Sequence, residues 1–295
     1  MRIIESIEAM RQFSRACRER GQSLGLVPTM GALHEGHFSL VRRAKSKCPL
    51  VVASIFVNPT QFGRGEDFEK YPRSPDRDLR ALEDLAVNVV FTPAVAEIYP
   101  TGFTTQVDPR KLGTILEGAV RPGHFQGVAT VVLKLFAIVQ PDVACFGQKD
   151  FQQAVIIRRL VEDLNVSAHL EIVPTVREPD GLAKSSRNVY LNAEERRAAT
   201  ALSRALRQAQ EQWWAGERSP ALVVKGIEQA LAAEPRLQPD YFTIREPALL
   251  DVPESIEPGS VALAAVRMGS IRLIDNVIFG PRQMSGEELV SLAFA

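Results

Sequence analysis

The sequence predicts an α/β fold in which a parallel sheet is covered by helices on both faces. Over about the first 175 residues, compact apolar runs alternate with segments whose apolar residues recur at spacings of three and four. Several runs are apolar throughout, as expected of strands buried on both faces. Long Ala/Leu/Glu/Arg-rich helices and three strand-like runs follow. We therefore predict an α/β domain over residues 1–178 and a smaller α+β domain, forming a lid, over residues 179–295.

Five apolar runs are predicted to form the strands of the larger domain. They are LGLVPT (24–29), LVVASIFV (50–57), VNVVFT (87–92), DVACFG (142–147) and LEIVPT (170–175). The first twenty residues or so indicate a short strand and an amphipathic helix before them. Ser74-Pro75-Asp76 is typical of a helix start, with a capping hydroxyl and a proline at the first helical position.

The composition excludes several classes of function. Thirty-five basic residues balance thirty-five acidic ones, so no overall field favours nucleic acid or an anionic membrane. No stretch approaches the ~18 consecutive apolar residues of a membrane span. Cys17, Cys48 and Cys145 lack the paired spacing of a zinc site or a redox dithiol, which favours reduced packing residues in a cytoplasmic protein.

Two histidines follow the first strand of the sheet, where a helix begins. Ligands of open α/β sheets bind beyond the carboxyl ends of the strands. There, PTMGALHEGH places His34 and His37 three residues apart. That spacing puts both imidazoles on one side of a helix amino terminus, which favours phosphate binding. The histidines could instead cap the helix, lie on the surface or, with Glu35, form part of a metal site.

Amide side chains follow the second strand. NPTQF places Asn58 and Gln61 at the same edge of the sheet. An amide offers a donor and an acceptor without a charge, which suits recognition of a hydroxyl and a carboxylate. A simple Asn-Pro turn is the alternative.

Cations occur in two further loops. Lys149 and Asp150 follow DVACFG, and Lys184, Ser185, Ser186 and Arg187 follow a PDG turn. A lysine can neutralise a phosphate, an aspartate can hold a hydroxyl or a magnesium-bound water, and a loop with two cations and two hydroxyls can clamp a triphosphate. A solvated Lys-Asp pair and an ordinary surface loop are the alternatives.

The chain resembles the HIGH-type nucleotidyltransferases and class I aminoacyl-tRNA synthetases. It has neither a G-x-x-x-x-G-K-[ST] loop nor a G-x-G-x-x-G turn, and it pairs histidines at a helix start with a distant Lys-Ser loop. Within that superfamily, PTMGALHEGHFSLV, IFVNPTQF, FEKYPR, GHFQGVATVV, FGQKDFQQ and KSSRN appear in the order seen in pantothenate synthetases, the pantoate–β-alanine ligases. The resemblance extends to about residue 280. It implies a Rossmann-like domain with a smaller carboxy-terminal domain, in a homodimer that uses ATP and Mg²⁺.

The resemblance also implies roles for individual residues. His34 and His37 would lie at the phosphates with Lys149 and Arg187 as further catalytic groups, and His37 would be a proton donor. Gln61 and Gln153 would hold pantoate, together with Asn58. The remaining ATP-binding positions would be Met30, Gly31, Ala32, Leu33, Glu35, Gly36, Gly147, Gln148, Asp150, Val176 through its backbone, Lys184, Ser185 and Ser186. Arg187 stands where the synthetase loop KMSKS has a lysine.

The implied reaction has two steps. The carboxylate of pantoate attacks the α-phosphorus of ATP, and the amine of β-alanine then displaces AMP from the adenylate. The partners would be these three small molecules, with no nucleic acid and no membrane. A related nucleotidyltransferase with another acceptor, or a nucleotide sensor without turnover, are the alternatives.

Overall fold

The computed structural model describes residues 1–63, 65–269 and 271–295. The chain divides into two compact units. The first consists of Met1–Phe146 and Gln152–Val173, and the second consists of Gly147–Phe151 and Pro174–Ala295. The second unit thus contains the short segment Gly147–Phe151, at the end of the DVACFG strand, as well as the carboxy-terminal part. The division into domains after residue 178, and the lid function of the second domain, remain predictions.

A six-stranded sheet is the framework of the first unit, and its strand order is β1-β4-β3-β2-β5-β6. The strands are β1 (Arg2–Ile4), β2 (Leu24–Thr29), β3 (Leu50–Ile55), β4 (Val89–Phe91), β5 (Val143–Gly147) and β6 (His169–Val173). The β1–β4, β3–β4, β2–β3 and β2–β5 pairs are parallel. The central strand β3 is buried at its four inner positions. All five predicted strands are therefore confirmed, with small differences at their ends.

Helices follow the strands of this sheet. They are α1 (Ile7–Glu19), α2 (Glu35–Lys47), α3 (Pro75–Asp84), α4 (Val95–Ile98), α5 (Glu117–Val120), α6 (His124–Val139) and α7 (Phe151–Asp163). α2 buries Leu40, Val41 and Ala44. α3 begins at Pro75 as predicted, but the capping role of Ser74 is wrong because its side chain makes no cap hydrogen bond.

The second unit combines two long helices with a small antiparallel sheet. Its elements are α8 (Ala193–Trp214), α9 (Pro220–Ala232), β7 (Gln238–Arg245), β8 (Val261–Met268), β9 (Ile271–Ile278) and α10 (Gly286–Phe294). The sheet order is β7-β8-β9. Leu202 and Leu206 of α8 and Ile227 of α9 pack in the core of this unit. α10 was not predicted, and Ser270, in the predicted run SIRLIDNVIF, lies outside the described residues.

In the described part of the chain, no helix combines the length and the apolar character needed to cross a membrane. All three cysteines are buried free thiols.

Candidate active site

His34 and His37 cap the amino terminus of α2 by a reciprocal pair of hydrogen bonds. The Gly36 N–H donates to His34 Nδ1 over 3.1 Å. In return, the His34 N–H donates to His37 Nδ1 over 3.3 Å. The ring centroids lie 4.2 Å apart. Both rings are therefore fixed side by side at the start of the helix, and the capping alternative is confirmed.

This cap fixes the tautomer of both neutral imidazoles. A backbone N–H can only donate, so each Nδ1 that receives one must carry a lone pair. The proton of each neutral ring is then on Nε2. Capping thus uses Nδ1 of each ring. The pair can present two Nε2–H donors beside a helix amino terminus, which is suitable chemistry for phosphate oxygens.

Asp78 of α3 holds the backbone of the loop before α2. Its carboxylate accepts the N–H of Ala32 over 2.8 Å and the N–H of Leu33 over 2.9 Å. Ala32 has a φ of 50°, in the left-handed region that is costly for a residue with a side chain. Asp78 is 2% exposed, so its carboxylate is shielded from solvent and depends on these N–H groups for its hydrogen bonds. Asp78 is thus a structural support of the predicted ATP loop, a role that sequence reasoning missed.

Asn58 orients the amide of Gln61. Asn58 Nδ2 donates to Gln61 Oε1 over 3.1 Å and to the Gly127 carbonyl over 3.1 Å. Asn58 Oδ1 accepts the Tyr99 hydroxyl over 2.8 Å. With its oxygen occupied, Gln61 directs Nε2 towards Met30 Sδ, 3.1 Å away. Sulfur is a weak acceptor, so the contact to Met30 is a weak hydrogen bond for Gln61 Nε2.

Helix α6 packs tightly against the turn that carries Gln61. A Cβ at Gly127 would lie 2.4 Å from the Thr60 carbonyl oxygen and 2.7 Å from the Gln61 nitrogen. Only glycine therefore allows this approach. GHFQGVATVV contributed to the family resemblance, but the reason for its second glycine becomes visible only in the structure.

Arg121, His124 and Glu66 form a cluster that also contacts the Gln61 backbone. Arg121 donates to both carboxylate oxygens of Glu66 and to His124 Nε2. His124 Nδ1–H donates to the Gln61 carbonyl over 2.8 Å. Burial, reinforced by the Arg121 charge, lowers the pKa of His124 to about 4. Burial raises the pKa of Glu66, but the hydrogen bonds and charge of Arg121 outweigh it, so that pKa is lowered.

The two glutamines at the start of α7 differ in their surroundings. Gln152 is buried, and its amide bonds Leu112 O, Ile115 O and the Glu117 N–H. It therefore anchors the segment before α6. Gln153, the predicted pantoate ligand, is half-buried.

In the second unit, the GQKD turn follows β5. It forms a short 3-10 helix at Gln148–Asp150. Lys149 Nζ lies 3.6 Å from Asp150 Oδ1. Gln148 is buried, and its Oε1 accepts the Thr175 N–H over 3.2 Å.

The KSSRN loop is also in the second unit. The Lys184 N–H donates to the Val176 carbonyl over 2.9 Å, and Lys184 Nζ lies 2.8 Å from Glu178 Oε1. Ser185 caps a 3-10 helix at Ser186–Tyr190 by accepting the Arg187 N–H. A backbone hydrogen bond thus joins Val176 to the loop, and the ATP-binding role of both residues stays a prediction.

The predicted residues fall into two sets. In the first unit, Met30 lies against Gln61, Asn58 against Gln61 and His34 against His37. In the second unit, Val176 and Lys184 are joined, and Gln148 through Asp150 form one turn. Among the described residues, no group of three or more His, Cys, Asp or Glu side chains could hold a metal ion.

Comparison with known proteins gives a consistent result. The pantoate-beta-alanine ligase family model matches residues 2–278. Pantothenate synthetase of Chloroflexus aurantiacus is 52% identical over 94% of this chain and 97% of its own length. The corresponding values for Pelotomaculum thermopropionicum pantothenate synthetase are 50%, 95% and 99%.

Solved structures are similar as well. The crystal structure of pantothenate synthetase from Thermus thermophilus has a TM-score of 0.89 at 45% identity, covering 95% of this chain and 100% of that one. The structure of pantoate-beta-alanine ligase from Francisella tularensis, complexed with beta-gamma ATP and beta-alanine, has a TM-score of 0.78 at 34% identity. It covers 94% of this chain and 97% of that one.

Proposed function

The chain belongs to the pantoate–β-alanine ligase family, and from this premise we propose how its residues carry out the ATP-dependent condensation of pantoate with β-alanine. A pantoate carboxylate oxygen attacks the α-phosphorus of ATP, and the bond to the bridging oxygen breaks. Pyrophosphate leaves with the electron pair. The amine of β-alanine then attacks the acyl carbon of the adenylate, AMP leaves with the electron pair of the broken C–O bond, and the nitrogen loses a proton.

The observation that carries the phosphate assignment is the reciprocal cap of His34 and His37. In each neutral ring Nδ1 serves the helix start, so the ring proton is on Nε2. Donors that are already oriented stabilise charge developing on the phosphoryl oxygens without reorganisation during the reaction. His37 then delivers a hydrogen bond, and where needed a proton, to the oxygens around the α-phosphorus.

Pantoate recognition is assigned to Gln61, with Gln153 as the second amide. Because Asn58 occupies Gln61 Oε1, the Nε2–H groups are directed to a substrate oxygen. We assign Asn58 to pantoate binding through this orientation of Gln61. Pantoate supplies two hydroxyls and a carboxylate, all of which can accept from an amide.

The cations serve the departing pyrophosphate. Lys149, Lys184 and Arg187 would neutralise its charge, together with the hydroxyls of Ser185 and Ser186 and the backbone around Gly147 and Val176. Positioning and charge stabilisation supply most of the catalysis in such transfers, and no enzyme nucleophile is required. Closure of the KSSRN loop over the adenylate would protect it from water.

Mg²⁺ fits this residue set as an ion that enters with ATP. It is usually held by one or two carboxylates together with substrate phosphates and waters, so a cluster of protein ligands is unnecessary. Asp150, half-exposed beside Lys149, has the right chemistry to contribute. Asp78 does not, because both of its oxygens accept backbone N–H groups. When bound, the ion would neutralise phosphate charge.

We also propose that the enzyme is a homodimer in the cytoplasm, as the family resemblance implies. Light scattering at micromolar concentration should give twice the 32.5 kDa mass of the chain. The mass of a single chain would contradict the dimer.

The order of the steps can be tested by isotope exchange. If the adenylate forms before β-alanine is needed, labelled pyrophosphate should exchange into ATP when pantoate, ATP and Mg²⁺ are present without β-alanine. Addition of β-alanine should then yield AMP and pantothenate in equal amounts. Exchange that needs β-alanine would contradict the order of steps, and exchange without pantoate would contradict the assigned acid.

A further inference from the structure

Two buried polar residues near the end of β9 contact the GQKD turn and Arg177, which precedes the KSSRN loop. Asp275 is 4% exposed and Asn276 is 1% exposed. A polar group buried this deeply costs stability unless its hydrogen bonds are made within the protein. Their partners therefore show what the two side chains do.

Asn276 holds the peptide groups around Lys149. Its Nδ2 donates to the Gln148 carbonyl over 3.1 Å and to the Lys149 carbonyl over 3.0 Å. Its Oδ1 accepts Gln148 Nε2 over 2.9 Å. Gln148 Oε1 in turn accepts the Thr175 N–H. The Asn276 side chain thus fixes two successive carbonyls. Through Gln148 it also fixes Thr175, which lies next to Val176.

Asp275 holds the segment before the KSSRN loop through Arg177. Arg177 donates from Nη1 to Asp275 Oδ2 over 2.6 Å and from Nη2 to Oδ1 over 2.9 Å. The same guanidinium donates to the Gly181 carbonyl over 3.1 Å and to the Asn276 carbonyl over 3.3 Å. A bidentate pair of this kind defines the direction of the arginine as well as its position.

We propose that Asp275 and Asn276 are positioning residues for the transfer step. Asn276 sets the direction of Lys149, and Asp275, through Arg177, sets the position of the segment that leads to Lys184. The two carbonyls bonded to Asn276 belong to the peptides on either side of Lys149. Fixing them fixes the backbone from which the lysine side chain departs. Neither residue contacts substrate, and the inference rests on the proposed roles of Lys149 and Lys184.

N276D is the sharpest test of the first half of this proposal. It keeps the size of the side chain and the acceptor for Gln148 Nε2, but it replaces the donor with an oxygen that faces two carbonyl oxygens. The GQKD turn must then move. We expect pantoate-dependent pyrophosphate exchange to fall by at least about tenfold, the size expected for a buried unsatisfied polar contact. The KM for pantoate should change less than about twofold.

A double-mutant cycle separates positioning from a general loss of stability. If Asn276 acts through Lys149, N276D should cost less than about threefold in a K149A background, because residues that act as a unit are not additive. K149R serves as the reference if exchange by K149A is too slow to measure. D275N is compared with K184A in the same way, and it should lower exchange by about tenfold alone and far less in the double variant.

D240N provides the matched control. Asp240 also accepts from two arginines on the small sheet, Arg267 and Arg272, over 2.8 and 2.6 Å. It has no contact with Gln148, Lys149 or Arg177 among the hydrogen bonds and ion pairs of the described residues. D240N should reduce thermal stability but keep exchange within about twofold. N276S replaces N276D if the latter does not fold.

The outcomes distinguish this inference from the proposed function. Normal exchange by K149A would overturn the role of Lys149 and, with it, the part of the inference that concerns Asn276; normal exchange by K184A would do the same for Asp275. Low exchange by K149A together with normal exchange by folded N276D would overturn the inference alone. The same conclusion would follow if the losses of N276D and K149A multiplied in the double variant.

Discussion

The two units hold their candidate active residues over very different distances in the sequence. In the first unit, His34 and His37 hold each other across three residues, and Asn58 holds Gln61 across three. In the second unit, the Lys149 backbone is held by Asn276, 127 residues away. These two side-chain contacts of the first unit are local and depend on helix and turn geometry. The contact in the second unit depends on the packing of β9 against the GQKD turn, so distant substitutions can disturb it.

The largest expected effect tests the local arrangement at His37. H37A removes an oriented Nε2–H donor, so adenylate formation should fall on the order of 10²-fold or more, as for other transition-state donors. Loss of the cap should cost only about 1 kcal/mol of stability. Pantoate-dependent pyrophosphate exchange and thermal unfolding measure the two effects separately.

E195A is the matched control for H37A. Glu195 closes the same kind of reciprocal cap on α8, where its Oε2 accepts the Asn192 N–H over 2.9 Å. Its loss should lower stability by a similar amount and leave exchange unchanged. If folded H37A keeps near-normal exchange, the histidine has only its capping role.

A smaller effect is expected at the amide of the first unit. Q61A should weaken pantoate use by ~1–3 kcal/mol while ATP binding stays nearly intact, because a buried polar contact to one substrate is lost. Q153A should behave in the same way. The KM for each substrate in the full reaction is the measurement. A fall in ATP affinity without a change for pantoate would mean that the pocket is divided differently.

G127A sharpens this test because it changes no side chain proposed to touch pantoate. Its Cβ would meet the Thr60 backbone, which must move and take Gln61 with it. G226A is the control in α9, since its Cβ would meet only the flexible end of Gln212. G127A should resemble Q61A in its pantoate defect, whereas G226A should retain normal KM values. Equal behaviour of both variants would show that the close approach of α6 does not position Gln61.

The strands and the long helices could be predicted because each follows from a local pattern. Val51, Val52 and Ala53 are buried on both faces of β3, and the apolar run that contains them carries that information. The histidine cap could be anticipated for the same reason, since both residues belong to one turn. Local spacing is sufficient wherever the partners are three or four residues apart.

The supports of the site could not be predicted, because they join distant parts of the chain. Asp78 reaches the Ala32–Leu33 backbone across about 45 residues. Gly127 lies against the Thr60 and Gln61 backbone more than 60 residues before it. Both residues matter because they bring two separate elements into contact. The spacing of residues within one element gives no information about such a contact.

The smallest predicted effect concerns the cluster beside Gln61. Arg121 can only donate to His124 Nε2 and the Gln61 carbonyl can only accept from Nδ1, so the geometry requires a neutral ring. Burial and the Arg121 charge lower the pKa of His124 to about 4. The Gln61 carbonyl, Glu66 and Glu117 raise this pKa, but their effect is smaller. In the unfolded chain His124 titrates near ~6.5. Below that pH His124 binds a proton in the unfolded state but not in the native state. The free energy of unfolding therefore falls as the pH falls towards 4.

His124 should therefore make the native protein lose roughly 1–2 kcal/mol more than H124N between pH 7 and pH 5. Above pH 7 the contribution of His124 to the pH dependence disappears, because the ring is neutral in both states. Urea unfolding of both proteins at the two pH values measures the difference directly. Carboxyl groups elsewhere titrate alike in both proteins and cancel in the comparison. Equal losses would show that His124 accepts a proton as readily in the native state as in the unfolded chain, and that its ring is not held neutral between Arg121 and the Gln61 carbonyl.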